Sequence, residues 1–295
     1  GVAIANDTAD PVSGSIVIRD RNGKVLQTRK FDVGAHAGST EKIQTPIEFP
    51  GDTVLVQCMV VVQYTARGAS HSDEQIVTLR QLTPVASGET ATRKVRFEHH
   101  DSDLWVIANA HVELCIDPKQ GGRVLEFIDR ETLTNQVRID YDLLPTLASL
   151  AHSYAIWFTL DGKGRNLPWS VMPSPSGSLL LNAPEEMPVS LRWTVDATSP
   201  TATLHLLARN PSPRQREVRF QMHPEYRLGG RAESGEDILL FPTTNGVFKL
   251  PFWIDLGERP APALSENWWA VADEGAGLEM RQAFSEGWDP PRVWF

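Results

Sequence analysis

The chain has 295 residues, 41% of them hydrophobic and 22% charged, with a formal net charge of −9. That length suits one large or two ordinary globular domains. The negative balance argues against a nucleic-acid partner, which Lys and Arg would hold by neutralising phosphates, and no segment approaches the about 20 apolar residues of a membrane-spanning helix.

The first 93 residues read as a small β-sandwich. Ser15 to Asp20 is a β-forming run, Arg21-Asn22-Gly23-Lys24 a tight turn, and Val25 to Phe31 the returning strand. Asn-Gly between two such runs is a strong hairpin signal, because both central turn positions favour positive φ. Thr53 to Thr65 is almost unbroken β-former; Gly68-Ala69 turns it and Ser72 to Leu82 returns. Thr83 to Thr90 (TPVASGET) is small, polar and proline-punctuated, as a linker or a loop within one domain would be, and the boundary is set near residue 93.

Residues 94 to 295 also alternate with the period of strands. The runs are Trp105 to Ala110, His111 to Asp117, Val124 to Ile128, Tyr154 to Leu160, Val189 to Val195, Ala202 to Ala208, Val218 to Met222, Gly246 to Phe252, Trp268 to Ala272 and Gly277 to Phe284. Short strands separated by turn residues predict a large antiparallel architecture. Leu143 to His152 is the one helix candidate. Cys58 and Cys115 lie in apolar runs of different proposed domains, so both are expected to be buried thiols with no disulfide between them.

All nine tryptophans lie at or after Trp105. The densest stretches are Glu266-Asn267-Trp268-Trp269 and Glu286-Gly287-Trp288-Asp289-Pro290-Pro291-Arg292. Aromatic rings bordered by carboxylates and amides suit sugars, which present apolar ring faces and polar edges. Large β cores also use Trp as filler. Trp268 and Trp269 cannot both face one side of a regular strand, so one should point to the core and the other to a cleft or partner.

Three stretches carry a resemblance. Val112 to Asp129, with its Gly121-Gly122 turn, resembles the opening hairpin of galactose-mutarotase-like β-supersandwich domains. Phe220 to Gly230 resembles the family's strand that ends in a cleft histidine, with His223, Tyr226, Leu228 and Gly229 matching the layout. Trp268 to Met280 resembles the strand, acidic turn and strand near the end of such domains. The first 93 residues resemble the immunoglobulin-like modules that sit beside catalytic domains in glycoside hydrolases. The implied architecture is all-β: an immunoglobulin-like sandwich over 1–93 and a large antiparallel supersandwich over 94–295. The resemblance implies a sugar ligand more than a reaction, since epimerases, hydrolase domains and lyases share the fold.

For a mutarotase, an imidazole acid and a carboxylate base must flank one sugar ring. His223 is the candidate imidazole and Glu225 a candidate carboxylate, with Pro224 interrupting the strand between them. The family's C-terminal base has no recognisable match; Glu286 and Asp289 lie near its expected place but outside its motif. Hydrolysis would need two carboxylates at defined separation, which a sequence does not supply. His99-His100-Asp101 lacks a partner at metal-ligand spacing and reads as a polar turn, and there is no phosphate loop, HExxH or G-x-S-x-G.

The expected function is therefore an accessory, carbohydrate-binding or structural region of a larger glycoside-processing protein, itself not catalytic. The alternatives are an aldose-1-epimerase-like or other sugar-processing enzyme using His223 and a purely structural or protein-interaction module. The expected carbohydrate-binding set is His223, Tyr226, Trp253, Trp268, Trp269, Trp288, Asp289 and Arg292. Expected partners are a neutral oligosaccharide or polysaccharide and a neighbouring catalytic domain of the same parent chain, with no nucleic acid, no membrane, no cofactor and no metal. The missing initial Met and the apolar end Val293-Trp294-Phe295 suggest a piece of a longer protein. No targeting segment is recognisable; a processed N-terminus would leave a periplasmic or extracellular location open.

Overall fold

The computed structural model describes all residues except 1, 7–9, 35–38, 44–46, 99, 140–153, 162–167, 175–176, 185–188, 211–212, 224, 231–236, 252–263 and 284–295. The protein is essentially all-β, arranged in several sheets. Among the described residues there is no α-helix, and no helix long and apolar enough to cross a membrane. The helix candidate at Leu143 to His152 lies outside the described residues. The chain divides into two compact units, Gly1–Leu82 with Val95–Asp101, and Thr83–Lys94 with Ser102–Phe295.

In the first unit, β1 (Val2–Asn6) pairs antiparallel with β4 (Ser39–Ile43). β2 (Val12–Asp20) pairs antiparallel with both β3 (Val25–Val33) and β5 (Thr53–Ala66), and β6 (Ala69–Arg80) returns along β5. The end of β7 (Ala91–Phe97) pairs with β5 in parallel, Thr53 opposite Arg96 and Leu55 opposite Phe97. The alternation of strand side chains sets the core. Val12, Ile16 and Ile18 of β2 meet Phe31 and Val33 of β3 and Val56 and Cys58 of β5 in one buried cluster. Burial, then the nearby carboxylates Glu98 and Asp20, push the Cys58 thiol above its ordinary range.

In the second unit, β8 (Leu104–Ala108), β9 (Val112–Asp117), β10 (Arg123–Asp129) and β11 (Thr134–Asn135) form antiparallel neighbours in that order. β9 ends in a short 3-10 turn, Pro118–Gln120, capped by the Asp117 carboxylate accepting from the Lys119 amide at 2.8 Å. Gly121 and Gly122 follow, both at φ 76°, a left-handed conformation that a side chain would resist. A Cβ on Gly122 would also sit 2.8 Å from the Leu181 side chain. The bulge between Val124 and Glu126 then re-aims β10.

β12 (Ala155–Leu160) pairs with β17 (Val218–His223). β13 (Ser170–Ser174), β14 (Ser178–Asn182), β15 (Val189–Val195) and β16 (Ala202–Ala208) make a four-stranded sheet. A second four-stranded sheet has the order β19 (Gly246–Pro251), β18 (Asp237–Thr243), β20 (Trp268–Asp273), β21 (Leu278–Ala283). The main core gathers Val112, Leu114 and Ile116 of β9, Ile156 and Phe158 of β12, Leu179 and Leu181 of β14 and Leu191 and Trp193 of β15. A satellite core holds Leu228, Leu239, Phe241, Trp269 and Val271. Tyr226 packs against both.

One buried ion pair ties the start of this unit to its sheet. Arg130 Nη1 lies 3.1 Å from Glu113 Oε2, and the Glu113 side chain is fully enclosed. Glu113 Oε2 also accepts from the Thr83 amide at 2.8 Å, while Arg130 Nη2 donates to the Thr83 carbonyl at 2.9 Å. Both charges and both backbone groups are thereby satisfied. Removing one partner of such a set costs about 3–5 kcal/mol, because the other charge is left buried.

Candidate functional site

The β12–β17 ladder positions His223. Ile156 and Phe158 of β12 are buried in the main core, and Phe220 and Met222 of β17 pack against it. Successive strand side chains alternate between faces, so Trp157 and His223 project from the other side. The register sets Trp157 opposite Gln221 and His223 opposite Ala155, which makes Trp157 and His223 diagonal neighbours. Diagonal pairs are within reach of each other when both rings are large. Their rings lie parallel, with centroids 5.3 Å apart and 8° between planes. His223 is exposed and Trp157 half-buried.

Tyr226 has different surroundings. Its ring meets Tyr154 edge-on at 6.4 Å and Trp269 at 5.7 Å, and its hydroxyl donates to Gln282 Oε1 at 3.5 Å. The Tyr154 hydroxyl donates to Met222 Sδ at 3.3 Å, and Gln282 Nε2 lies 3.5 Å from the same sulfur. Burial pushes the Tyr154 and Tyr226 phenols above their ordinary range; for Tyr226 the neighbouring Tyr154 adds to the effect, and for Tyr154 a hydrogen bond with Gln282 opposes it. His223 thus faces outward onto an indole, while Tyr226 belongs to a packed aromatic and amide cluster.

Trp268 and Trp269 point to opposite faces of β20. Trp269 is buried in the satellite core. Trp268 is half-buried, its indole Nε1 donates to Glu266 Oε2 at 2.8 Å, and the Arg281 guanidinium carbon sits 4.2 Å from its ring centroid. Glu279 Oε1 in turn lies 3.3 Å from Arg281 Nε. One face of Trp268 is therefore occupied by a cation and its edge by a carboxylate. Trp253, Trp288, Asp289 and Arg292 lie outside the described residues.

Glu225 is half-buried, and its carbonyl accepts from the Arg138 amide at 2.8 Å. Its charge acts on a group that the sequence did not single out. Arg123, only 5% exposed, is opposite Asp117 in the β9–β10 register. Burial pulls its guanidinium below its ordinary range, and the charges of Asp117 and Glu225 oppose that pull. The sequence signal was present: Arg123 is a charge set between Gly121-Gly122 and the apolar run Val124 to Ile128. Trp157 was also legible, as an aromatic on the polar side of the alternation from Ala155 to Leu160.

No family model matches this chain, and no curated protein matches it either. Among the described residues no group of three or more His, Cys, Asp or Glu side chains is placed to hold a metal ion. The arrangement offers an aromatic pair, half-buried Trp157 and exposed His223, whose imidazole nitrogens can make hydrogen bonds, together with the buried Asp117 and Arg123.

Proposed function

We propose that this chain is a carbohydrate-binding, accessory region of a larger glycoside-processing protein, built as an immunoglobulin-like sandwich and a galactose-mutarotase-like supersandwich and not catalytic by itself. The observation that carries the reading is the parallel stack of Trp157 and His223 on the face of β12–β17 turned away from the core. A sugar ring lays its C–H face on an aromatic surface and sends its hydroxyls to polar groups at the rim. His223 supplies both functions: the exposed imidazole, backed by the indole stacked against it, can take a sugar face, and its ring nitrogens can meet hydroxyls. The mutarotase-like order of His223, Tyr226, Leu228 and Gly229 supports the same ligand class.

A neutral oligosaccharide or polysaccharide is the proposed ligand, and a catalytic domain of the same parent chain the proposed neighbour. The test is a glycan array with titration of positives against the full chain and its Trp157→Ala and His223→Ala forms. The reading expects each substitution to weaken binding at least about tenfold, the loss of one good stacking or hydrogen-bonding contact. A chain that binds no glycan, or variants that bind as the parent does, would defeat it. An anomeric-exchange assay on glucose and galactose separates binding from turnover. Exchange above the uncatalysed rate that disappears in His223→Ala would replace the accessory reading with the epimerase one.

A further inference from the structure

Two outer strands of the first unit carry matching side chains. Among the described residues β3 pairs only with β2, and β6 only with β5. Such an outer strand presents a row of backbone donors and acceptors to any strand that comes alongside, and neither contains a Pro to prevent it. Along β6 the eight residues from Ala69 to Ile76 are all exposed, and β3 exposes Val25, Leu26, Thr28, Arg29, Lys30 and Asp32. Large hydrophobic side chains stand open on both strands: Ile76 is 56% exposed, Val25 46% and Leu26 45%.

Charge guards both edges, and it differs in sign between them. Within its exposed run β6 has Asp73 and Glu74 side by side and neither Lys nor Arg, whereas β3 has Arg29 and Lys30 side by side. Pairing β6 with another β6 would gather the carboxylates of both copies at the joint, and pairing β3 with another β3 would gather the cations. Like charges across a strand pair destabilise it, and opposite charges stabilise it. The charges therefore keep each edge from its own kind and leave β6 matched to β3. Those two strands lie at opposite ends of one row of strands, β3-β2-β5-β6, so the match is met by a second copy.

The strand registers fix the geometry of that match. Arg29, Ile16, Val62 and Asp73 stand in one line across the four strands, and Val25, Arg19, Met59 and Ile76 in another. Each strand runs antiparallel to its neighbour, so β6 runs opposite to β3. A second copy moved sideways, neither flipped nor slipped, therefore sets its β3 antiparallel to β6. Hydrogen-bonded and non-hydrogen-bonded pairs alternate across such a line of strands. With four strands in the line, the alternation carries over the joint unbroken. Asp73 then meets Arg29 of the next copy and Ile76 meets its Val25. Glu74 lies diagonal to its Lys30, within reach of long side chains.

We infer that the first unit associates head to tail with further copies of this chain, β3 of one copy adding to the β6 edge of the next. The contact joins two different surfaces, so each pair still presents one β6 and one β3, and growth does not stop at two copies. The inference goes beyond the carbohydrate reading and does not depend on it, because Trp157 and His223 lie in the second unit.

The experiment follows the mass of the full chain by sedimentation and light scattering as protein concentration rises, at low and at high salt. The weight-average mass should climb past two copies and fall as salt screens the charge pairs. Asp73→Lys/Glu74→Lys and Arg29→Glu/Lys30→Glu should each weaken association at least about tenfold with Tm unchanged. An equimolar mixture of the two variants should restore it, because opposite charges then face each other again at every joint. Amide hydrogen exchange of the parent decides the matter if either variant does not fold: protection should rise with concentration on β3 and β6 together. A mass that stays at one copy or stops at two overturns the inference. So does association that ignores both charge reversals, a mixture that stays dissociated, or protection that rises on neither strand or on one alone.

Discussion

Tyr154 and Tyr226 show how one buried environment couples stability to pH. Tyr154 is buried and Tyr226 partly so, and burial holds each pKa above the ordinary value of about 10. A group whose pKa is raised by folding contributes stability that is fully present below its unfolded pKa and lost as pH rises through its folded one. These two residues should therefore leave stability level up to about pH 10 and erode it beyond, by up to about 1.4 kcal/mol per pH unit for each phenol still protonated in the fold. Urea midpoints taken between pH 9 and 11.5 check this. The Tyr154→Phe/Tyr226→Phe double variant should show a shallower alkaline decline than the parent. Parallel declines would mean that the phenols ionise in the folded state as freely as in the unfolded one. The same cluster explains why Tyr226 was hard to place from sequence. Its aromatic-and-glycine context reads equally as a cleft wall or as core, and only its neighbours, Tyr154, Trp269 and Gln282, distinguish the two.

At the scale of elements, Gly14 in β2 carries a constraint that its neighbours make visible. A Cβ there would lie 2.1 Å from the Gln63 carbonyl oxygen, 2.7 Å from Phe31 Cζ and 2.9 Å from Tyr64 Cα. Two of those atoms are backbone, so the clash cannot be relieved by turning one side chain. Gly14→Ala should separate β2 from β5 locally and destabilise by at least about 1–3 kcal/mol, the usual cost of overpacking. Amide hydrogen exchange should rise first around Gly14, Gln63 and Tyr64, which the register places side by side. Unchanged protection at those amides would show that the pair can accommodate a methyl group.

The strands that the sequence made legible share one trait: long β-forming runs bounded by turn residues. Thr53 to Thr65 and Val189 to Val195 could be read almost to their ends, and the Arg21-Asn22-Gly23-Lys24 hairpin likewise. Those that escaped lack it. β14 is only five residues long, β18 contains Pro242, and β7 straddles the boundary set near residue 93, with Arg93 and Lys94 side by side inside it. Pairing, not propensity, makes them strands. The site was less legible for a related reason. His223 was visible through its local pattern, but its stacking partner Trp157 lies sixty-six positions earlier, and only the β12–β17 register joins them. Arg123 and Glu225 are likewise distant in sequence, and only the fold lets the Glu225 charge act on the Arg123 guanidinium.

Across the whole molecule, the two units differ in how they can be observed. All nine tryptophans lie at or after Trp105 and therefore in the second unit, so tryptophan emission reports on that unit alone, whereas far-ultraviolet circular dichroism reports on the strands of both. Each unit has its own buried cluster: one around Ile16, Phe31 and Val56, the other around Leu114, Leu181 and Trp193. Chains with more than one core commonly depart from two-state unfolding. Val56→Ala removes two methyl groups from the first cluster and should cost about 1–3 kcal/mol. We expect the dichroism transition to broaden or split and its early part to move to lower urea, while the tryptophan midpoint stays where it was. Leu181→Ala in the second cluster should do the reverse and move the tryptophan midpoint. Coincident shifts of both probes in both variants would show that the two cores melt as one cooperative body despite their separate contacts.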